Sequence, residues 1–252
     1  MSAYRFLAKT YNELMSDVDY STWAAYIHNL IGKNGVRIYE TACGTGSLTC
    51  RLYDLGYDIV ASDISAEMLR EAVKAARGGG RDITFVQQDM RSFETGRKAD
   101  AVVSACDGVN YIDAQGLRQF ADCAYGALKD GGLLLFDIST KAKLSAMDKQ
   151  VYFDDADDVT CIWRNAFDEK NDKLRMDVTI FVRRGELFER QSETHIQYAH
   201  DIETVRKIML SAGFTQVQGY DFPTKNTCTD TAQRAQFVCV KEQRIQFPAG
   251  MV

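Results

Sequence analysis

Between residues 36 and 137 the chain alternates short apolar runs with stretches of helical periodicity, and this rhythm constrains its fold more than any other feature. The runs at 36–40, 57–62, 83–86, 101–105 and 133–137 have strand length and are bounded by turn residues. Between them lie a helix reaching Leu55, a helix capped by Ser65 and a third over 114–128. In the second, Met68, Leu69, Ala72, Val73 and Ala76 share one face. Strands that alternate with amphipathic helices predict a doubly wound α/β fold, with a mostly parallel sheet, helices on both faces and right-handed crossovers.

The period changes after Thr140. Leu174, Met176, Val178, Ile180 and Val182 alternate with Arg175, Asp177, Thr179, Phe181 and Arg183, and turns are marked at 168–172 and 184–186. Such alternation over 151–198 predicts an antiparallel meander with one buried and one solvated face. Asp201 then caps a helix that turns Ile202, Val205, Ile208, Met209 and Ala212 inward and stops at Gly213. The runs at 214–220 and 235–241 complete a seven-stranded sheet. The expected organisation is one α/β unit, 1–141 with 201–252, interrupted after its fifth strand by an antiparallel β cap, 142–200.

Composition narrows the classes of function. The 252 residues carry a formal charge of −5, so a basic surface for nucleic acid is not a general property of the chain. Seven cysteines at irregular spacing, with no C-x-x-C, argue against a disulfide framework and a structural zinc site. No apolar run reaches 18 residues, and Arg5, Lys9, Glu13 and Asp17 interrupt the N-terminal stretch. The expectation is a cytoplasmic protein without a membrane span.

The most informative stretch is Ile38-Tyr39-Glu40-Thr41-Ala42-Cys43-Gly44-Thr45-Gly46. A strand ends in an acid and runs into a Gly-x-Gly turn that opens a helix. Glycine permits the tight turn and close approach of a ligand to the backbone. The free N–H groups of the helix start suit a polar or anionic ligand group. Seventeen residues after Gly46, at the end of the second strand, Asp63 stands where a carboxylate can accept hydrogen bonds from ribose hydroxyls. A dinucleotide site would want a third glycine where this chain has Thr49. Glu40 would repel a pyrophosphate but favours a cationic sulfonium and ammonium.

With those residues in view, the chain resembles the class I S-adenosylmethionine-dependent methyltransferases over nearly its whole length. Glu40 to Gly46 resembles the family's first motif, and Ser62-Asp63-Ile64-Ser65 its ribose-binding motif, with Met68 near the adenine. Gln88-Asp89-Met90-Arg91 resembles the next, in which the aspartate receives the adenine amino group and the following residue packs on the ring. Leu128-Lys129-Asp130-Gly131-Gly132 matches the turn before the fifth strand. Cys106-Asp107-Gly108-Val109-Asn110-Tyr111 is similar to a bacterial small-molecule subgroup in which a β-sheet cap follows that strand. The resemblance implies a Rossmann-like domain, S-adenosyl-L-methionine as cofactor, and cofactor contacts from Glu40, Ala42, Cys43, Gly44, Thr45, Asp63, Ile64, Met68, Asp89, Met90 and Cys106. It also implies an N-terminal segment that closes over the cofactor with Tyr11 and Trp23. At one place the chain departs from the family: Ala42 replaces the first glycine of the loop, which is accommodated if its φ is negative.

The acceptor side is less defined. Asp107 and Asn110 read either as turn formers or as pocket residues at the carboxyl edge of the sheet, and Tyr111 as pocket wall or core. Asp89 has the alternative of a simple cap, and the aromatic segment 4–23 that of a helix packed on the sheet. His195 and His200 lie five apart on an extended segment, hence on opposite faces, with no third ligand evident. No metal is expected, and His195 is read as a solvated strand residue rather than a base. Arg164, beside Trp163, is a candidate for a substrate carboxylate. Residues 142–200 hold nine Lys/Arg and twelve Asp/Glu, which disfavours RNA and DNA and points to a small-molecule acceptor. A methyltransferase of RNA or protein, and a non-catalytic cofactor-binding relative, remain the alternatives. No general base is identified.

Overall fold

The computed structural model describes Tyr4, Leu7–Lys9, Tyr11 and residues 18–33 and 35–242. Its α/β part runs α1 Tyr20–Ile31, β1 Arg37–Thr41, α2 Ser47–Asp54, β2 Asp58–Asp63, α3 Ala66–Gly78, β3 Thr84–Gln87 and β4 Ala99–Ser104. A 3-10 turn, Gly108–Tyr111, leads into α4 Ala114–Ala127 and β5 Leu128–Ser139. After the short α5 Lys141–Ala146 come the cap strands β6 Val151–Asp155, β7 Val159–Asp168, β8 Lys173–Arg184 and β9 Leu187–Tyr198. The chain then returns through α6 Ile202–Ser211, β10 Phe214–Asp221 and β11 Arg234–Lys241.

The large sheet has the order β10-β11-β5-β4-β1-β2-β3, parallel from β5 to β3 and antiparallel at β11 and β10. Both faces are covered, and the strands alternate between two cores. Ile38, Ala101, Val103 and Leu135 pack beneath α1 and α2 with Trp23, Ile27, Leu48 and Leu52. Tyr39, Val102, Leu134 and Phe136 face α4 and α6, meeting Leu117, Phe120, Val205 and Met209. Because β1 lies between β4 and β2, the strand order reverses there, and a crevice opens at the carboxyl ends of β1 and β4.

Caps fix the helices beside that crevice. The Ser65 hydroxyl accepts from the Met68 N–H and starts α3, and the Asp201 carboxylate accepts from the Thr204 N–H and starts α6. The segment 4–23 is only partly among the described residues. Within them, α1 begins at Tyr20 under an Asp19 cap whose carboxylate accepts from the Ser21 and Thr22 N–H groups.

The cap is a separate four-stranded antiparallel sheet, β6-β7-β8-β9. Its alternation places Cys161, Val178 and Ile180 in one small core and Leu174 and Met176 in another, with Leu144. The inner face of β9 is different, because Glu193, His195 and Gln197 succeed one another there and all are buried. Three polar side chains turned inward on alternate positions need partners: His195 and Gln197 find them across the joint with the large sheet, in Tyr111 and Asp107, and Glu193 finds one in His195.

Candidate active site

The cleft at the carboxyl ends of β1, β2 and β4 encloses about 230 Å³. Its floor is backbone-built. The Gly44 N–H donates to Asp63 Oδ2 at 2.9 Å and the Ser65 N–H donates to Oδ1 at 2.8 Å. Asp63 is thus aimed by two amides, and although burial pushes its carboxyl pKa up, those donors pull it back. Gly46, left-handed at φ +74, stands where a Cβ would lie 3.1 Å from the Ala72 methyl, so α2 and α3 meet tightly at the turn. Gly44 is also left-handed but faces open space. Gly46 caps α2 without a side chain, so the helix's first amides remain for a ligand.

Glu40 is the electrostatic oddity. It is 2% exposed, its Oε2 has no hydrogen-bond partner, and burial pushes its pKa up to about 8. A buried carboxyl oxygen without a donor is an incomplete arrangement that a cationic group in the cleft completes. Along the same wall Ile64 is 58% exposed beside the buried Met68 and Met90, an apolar shelf of the kind a flat ring covers. Asp89 lies at its edge, paired with Arg91 at 2.5 Å, and that partner holds its carboxyl below the usual carboxylate range.

Backbone strain collects at the same edge. Ala42, Cys106 and Asp107 all lie in the left-handed region, at φ +53, +59 and +55. The condition of a negative φ at Ala42 is therefore not met: the turn keeps a conformation that suits glycine, and alanine adopts it under strain. The Ala42 methyl points toward the loop after β4, where a Cβ on Gly108 would lie 2.8 Å from it. The two loops therefore interlock through a methyl on one side and a missing side chain on the other.

Opposite the backbone-built floor stands a wall of tyrosines, Tyr4, Tyr11, Tyr20 and Tyr111. The Tyr4 and Tyr111 hydroxyls are 2.5 Å apart, and Tyr111 Oη is 3.3 Å from His195 Nδ1. His195 Nε2 lies 2.7 Å from Glu193 Oε1. His195 is completely buried, which corrects the reading of it as a solvated strand residue. His200 is buried separately, its Nε2 at 3.0 Å from the Ile112 carbonyl.

Thirteen of the residues expected at the site line the cleft: Tyr11, Glu40, Ala42, Cys43, Gly44, Thr45, Asp63, Ile64, Met68, Asp89, Met90, Cys106 and Tyr111. Four lie elsewhere. Trp23 stacks on Phe222 with ring centroids 3.9 Å apart, under the Arg234 guanidinium. Asn110 is fully buried as a clamp: its Nδ2 donates to the Ser139 and Tyr198 carbonyls, and its Oδ1 accepts from the Ser139 N–H. Asp107 is taken up by Arg234 and by Gln197, whose Nε2 donates at 2.6 Å, while Arg234 also pairs with Asp137. Arg164 is exposed on the cap with Thr179 as its neighbour. The carboxyl-edge position that suggested Asp107 and Asn110 as pocket residues is real, but both face the joint between the sheets.

Tyr4, Tyr20, Arg91 and Ile112 line the cleft without having been singled out. Arg91 had a local signal, a guanidinium two residues from Asp89. Glu193 had one too, since Glu-x-His on a strand puts both side chains on one face. Tyr4 had none, because its partners Tyr111 and His195 are 107 and 191 residues away.

Comparison with known proteins agrees with this geometry. The methyltransferase-domain family matches residues 38–132. The methyltransferase candidate YqeM of Bacillus subtilis (strain 168) is 33% identical over 215 residues, covering 84% of this chain and 86% of its own. A crystal structure of an S-adenosylmethionine-dependent methyltransferase from Clostridium acetobutylicum ATCC 824 superposes with a TM-score of 0.82 at 28% identity, covering 96% of this chain and all of that one. The sugar N-methyltransferase KedS8 from Streptoalloteichus shares the fold, with a TM-score of 0.77 at 17% identity over 92% and 93% of the two chains.

Proposed function

We propose that this chain, which belongs to the class I S-adenosylmethionine-dependent methyltransferases, acts on a small-molecule acceptor held between the cleft and the β cap. The cofactor is S-adenosylmethionine, and the residues present suit it. The buried Glu40 carboxyl, with its Oε2 unpartnered, complements a cationic ligand, Asp63 is oriented to accept from ribose hydroxyls, and Ile64, Met68 and Met90 offer the apolar shelf for the adenine, with Asp89 at its edge. The free amides at the start of α2 suit the methionine carboxylate. When bound, the cofactor supplies a methyl group on a positively charged sulfur. The protein's share of the reaction is alignment and exclusion of water, and orientation alone supplies roughly 7–11 kcal/mol. The tyrosine wall and the cap close the acceptor side, and Glu40 holds charge near the displaced sulfur.

The observation that carries a small acceptor is the lining of the cleft. Its described charged residues are Glu40, Asp63, Asp89 and Arg91, and the arginine is already paired with Asp89. A polyanionic acceptor would meet three carboxylates and no free cation there, and the cap above is itself net acidic. Structural relatives of known acceptor support this reading, KedS8 being a sugar N-methyltransferase.

The test is transfer of isotopically labelled methyl from S-adenosylmethionine to a panel of small amines, hydroxy compounds and thiols, with bulk tRNA and a protein mixture in parallel. Label in small-molecule products is expected. Label confined to RNA or protein would overturn the proposal.

A further inference from the structure

We infer that Glu193, His195, Tyr111 and Tyr4 form a proton relay from the acceptor side of the cleft into the cap, and that the acceptor is therefore a nucleophile which must shed a proton, a primary or secondary amine or a hydroxyl. The assignment rests on the methyltransferase reading above and adds a general base to it.

The geometry gives the relay a direction. Glu193 Oε1 at 2.7 Å from His195 Nε2 fixes the tautomer, since a carboxylate oxygen accepts and Nε2 must carry the hydrogen. Nδ1 is then the free lone pair, and it accepts from the Tyr111 hydroxyl at 3.3 Å. With its own hydrogen committed to His195, Tyr111 can only accept from Tyr4, at 2.5 Å. The chain of donors thus ends on the Tyr4 oxygen, whose remaining lone pair belongs to a residue that lines the cleft. Aromatic packing holds this order. Tyr4 stands edge-on to His195 at 4.6 Å between centroids and against Tyr11 and Tyr111 at 5.6 Å, and Trp163 closes the other side of the imidazole at 5.9 Å.

Burial also sorts the roles. It pushes the Tyr4 and Tyr111 hydroxyls well above the usual phenol range, so neither stores charge and both pass protons on. His195 stores the proton, and the Glu193 carboxylate beside it balances the imidazolium. The other titratable groups turned toward this cluster are Tyr11 from the N-terminal segment, Cys161 from β7 beside Glu193, and Asp107 from the loop after β4, the last already engaged by Arg234 and Gln197.

During transfer the acceptor's lone pair forms the bond to the methyl carbon while the carbon–sulfur bond breaks and its electron pair stays on sulfur. The acceptor's proton passes to Tyr4, Tyr4's own proton to Tyr111, and Tyr111's to His195 Nδ1. One positive charge leaves the sulfur and one appears on the imidazole, so the cleft changes little in net charge. Tyr4 is the catalytic residue in this scheme. Tyr111, His195 and Glu193 act through it.

The test reads the relay in the intact chain without an acceptor. The sequence contains three histidines, His28, His195 and His200, so a long-range proton–nitrogen correlation spectrum of the side chains resolves each. The expected result is the Nε2–H tautomer at His195, with Nδ1 as a hydrogen-bonded acceptor. Tyr111→Phe, which keeps the packing, should move the His195 Nδ1 resonance toward that of a ring nitrogen with no donor, and Tyr4→Phe should move it less in the same direction, while His200 stays unchanged. The Nδ1–H tautomer, or an Nδ1 resonance indifferent to Tyr111→Phe, would overturn the relay. In the acceptor panel, a product methylated at an atom that carried no proton, such as a tertiary amine or thioether, would overturn it as well. Calorimetry of wild-type chain with S-adenosylmethionine separates the two readings: binding with a failed tautomer test removes the relay alone, whereas absent binding removes the methyltransferase reading beneath it.

Discussion

The two walls of the cleft are built by opposite strategies. The wall we assign to the cofactor is made mostly by residues within a 52-residue span, Glu40 to Arg91, and its key group is aimed by backbone: Asp63 takes its direction from the Gly44 and Ser65 amides. The wall we assign to the acceptor is made of side chains brought from far apart. Tyr4 meets Tyr111 across 107 residues and Tyr111 meets His195 across 84, and the joint between the sheets is closed likewise by Gln197 and Arg234 on Asp107, across 90 and 127. Backbone-built recognition suits a ligand that is the same throughout a family, because turns and helix starts do not depend on the rest of the surface. Side-chain recognition suits a variable ligand, since single substitutions in a cap alter it without touching the sheet.

The contrast predicts that the walls fail separately. The largest effect is expected at the joint. Asn110→Ala leaves the Ser139 N–H and the Ser139 and Tyr198 carbonyls without their partner, and should cost about 3 kcal/mol of stability. Urea unfolding measures it, and the folded fraction should still bind S-adenosylmethionine within about threefold of wild type. Loss of affinity beyond that would show that the walls are coupled.

Asp63→Ala attacks the other wall and should weaken cofactor binding by about 1.5–3 kcal/mol, the range for hydrogen bonds to a charged group. Unchanged affinity would remove Asp63 from the site. Next in size is a pH effect from Glu40. With its pKa near 8, this carboxyl is largely protonated at neutral pH in the free chain, whereas a cationic ligand favours the carboxylate. Binding below pH 8 must therefore expel a proton, so affinity should rise with pH, by up to about tenfold per unit, and level off above 8. Titrations in buffers of different ionisation enthalpy read the released proton directly. The stability sign is opposite: the contribution of this raised carboxyl is present at acid pH and lost as pH rises through about 8, and Glu40→Gln should abolish both dependences.

Smaller effects sharpen the picture. Ala42→Gly relieves a left-handed alanine and should stabilise the chain by about 0.5–1 kcal/mol, read as a rise in Tm. Arg164→Ala, on the exposed face of the cap, should change stability by less than about 0.5 kcal/mol and leave methyl transfer unaltered.

The same contrast explains what was legible in the sequence. The sheet follows from local patterns of period and caps, and so do Glu40, the glycine turn and Asp63, an acid at a strand end, whereas Met68, Asp89 and Met90 were legible only through the resemblance to the family. Asp107 and Asn110 show why the acceptor side was harder. Their position at the sheet edge is readable, but the direction of their side chains depends on Gln197, Arg234 and Ser139, which no local pattern brings near. His195 misled for the same reason. A histidine alternating with polar residues on a cap strand looks solvated until Tyr111 and Glu193 are seen beside it. The Ala42 backbone is the reverse case, where the neighbouring turn dictates a left-handed φ against the preference of the residue itself.

The most direct test of the account is calorimetric titration of the purified chain with S-adenosylmethionine, S-adenosylhomocysteine and NAD in parallel. The buried Glu40, the amide-aimed Asp63 and the apolar shelf predict binding of the two sulfur ligands and none of NAD. Silence toward both sulfur ligands in a folded chain, or binding of NAD in their place, would contradict it.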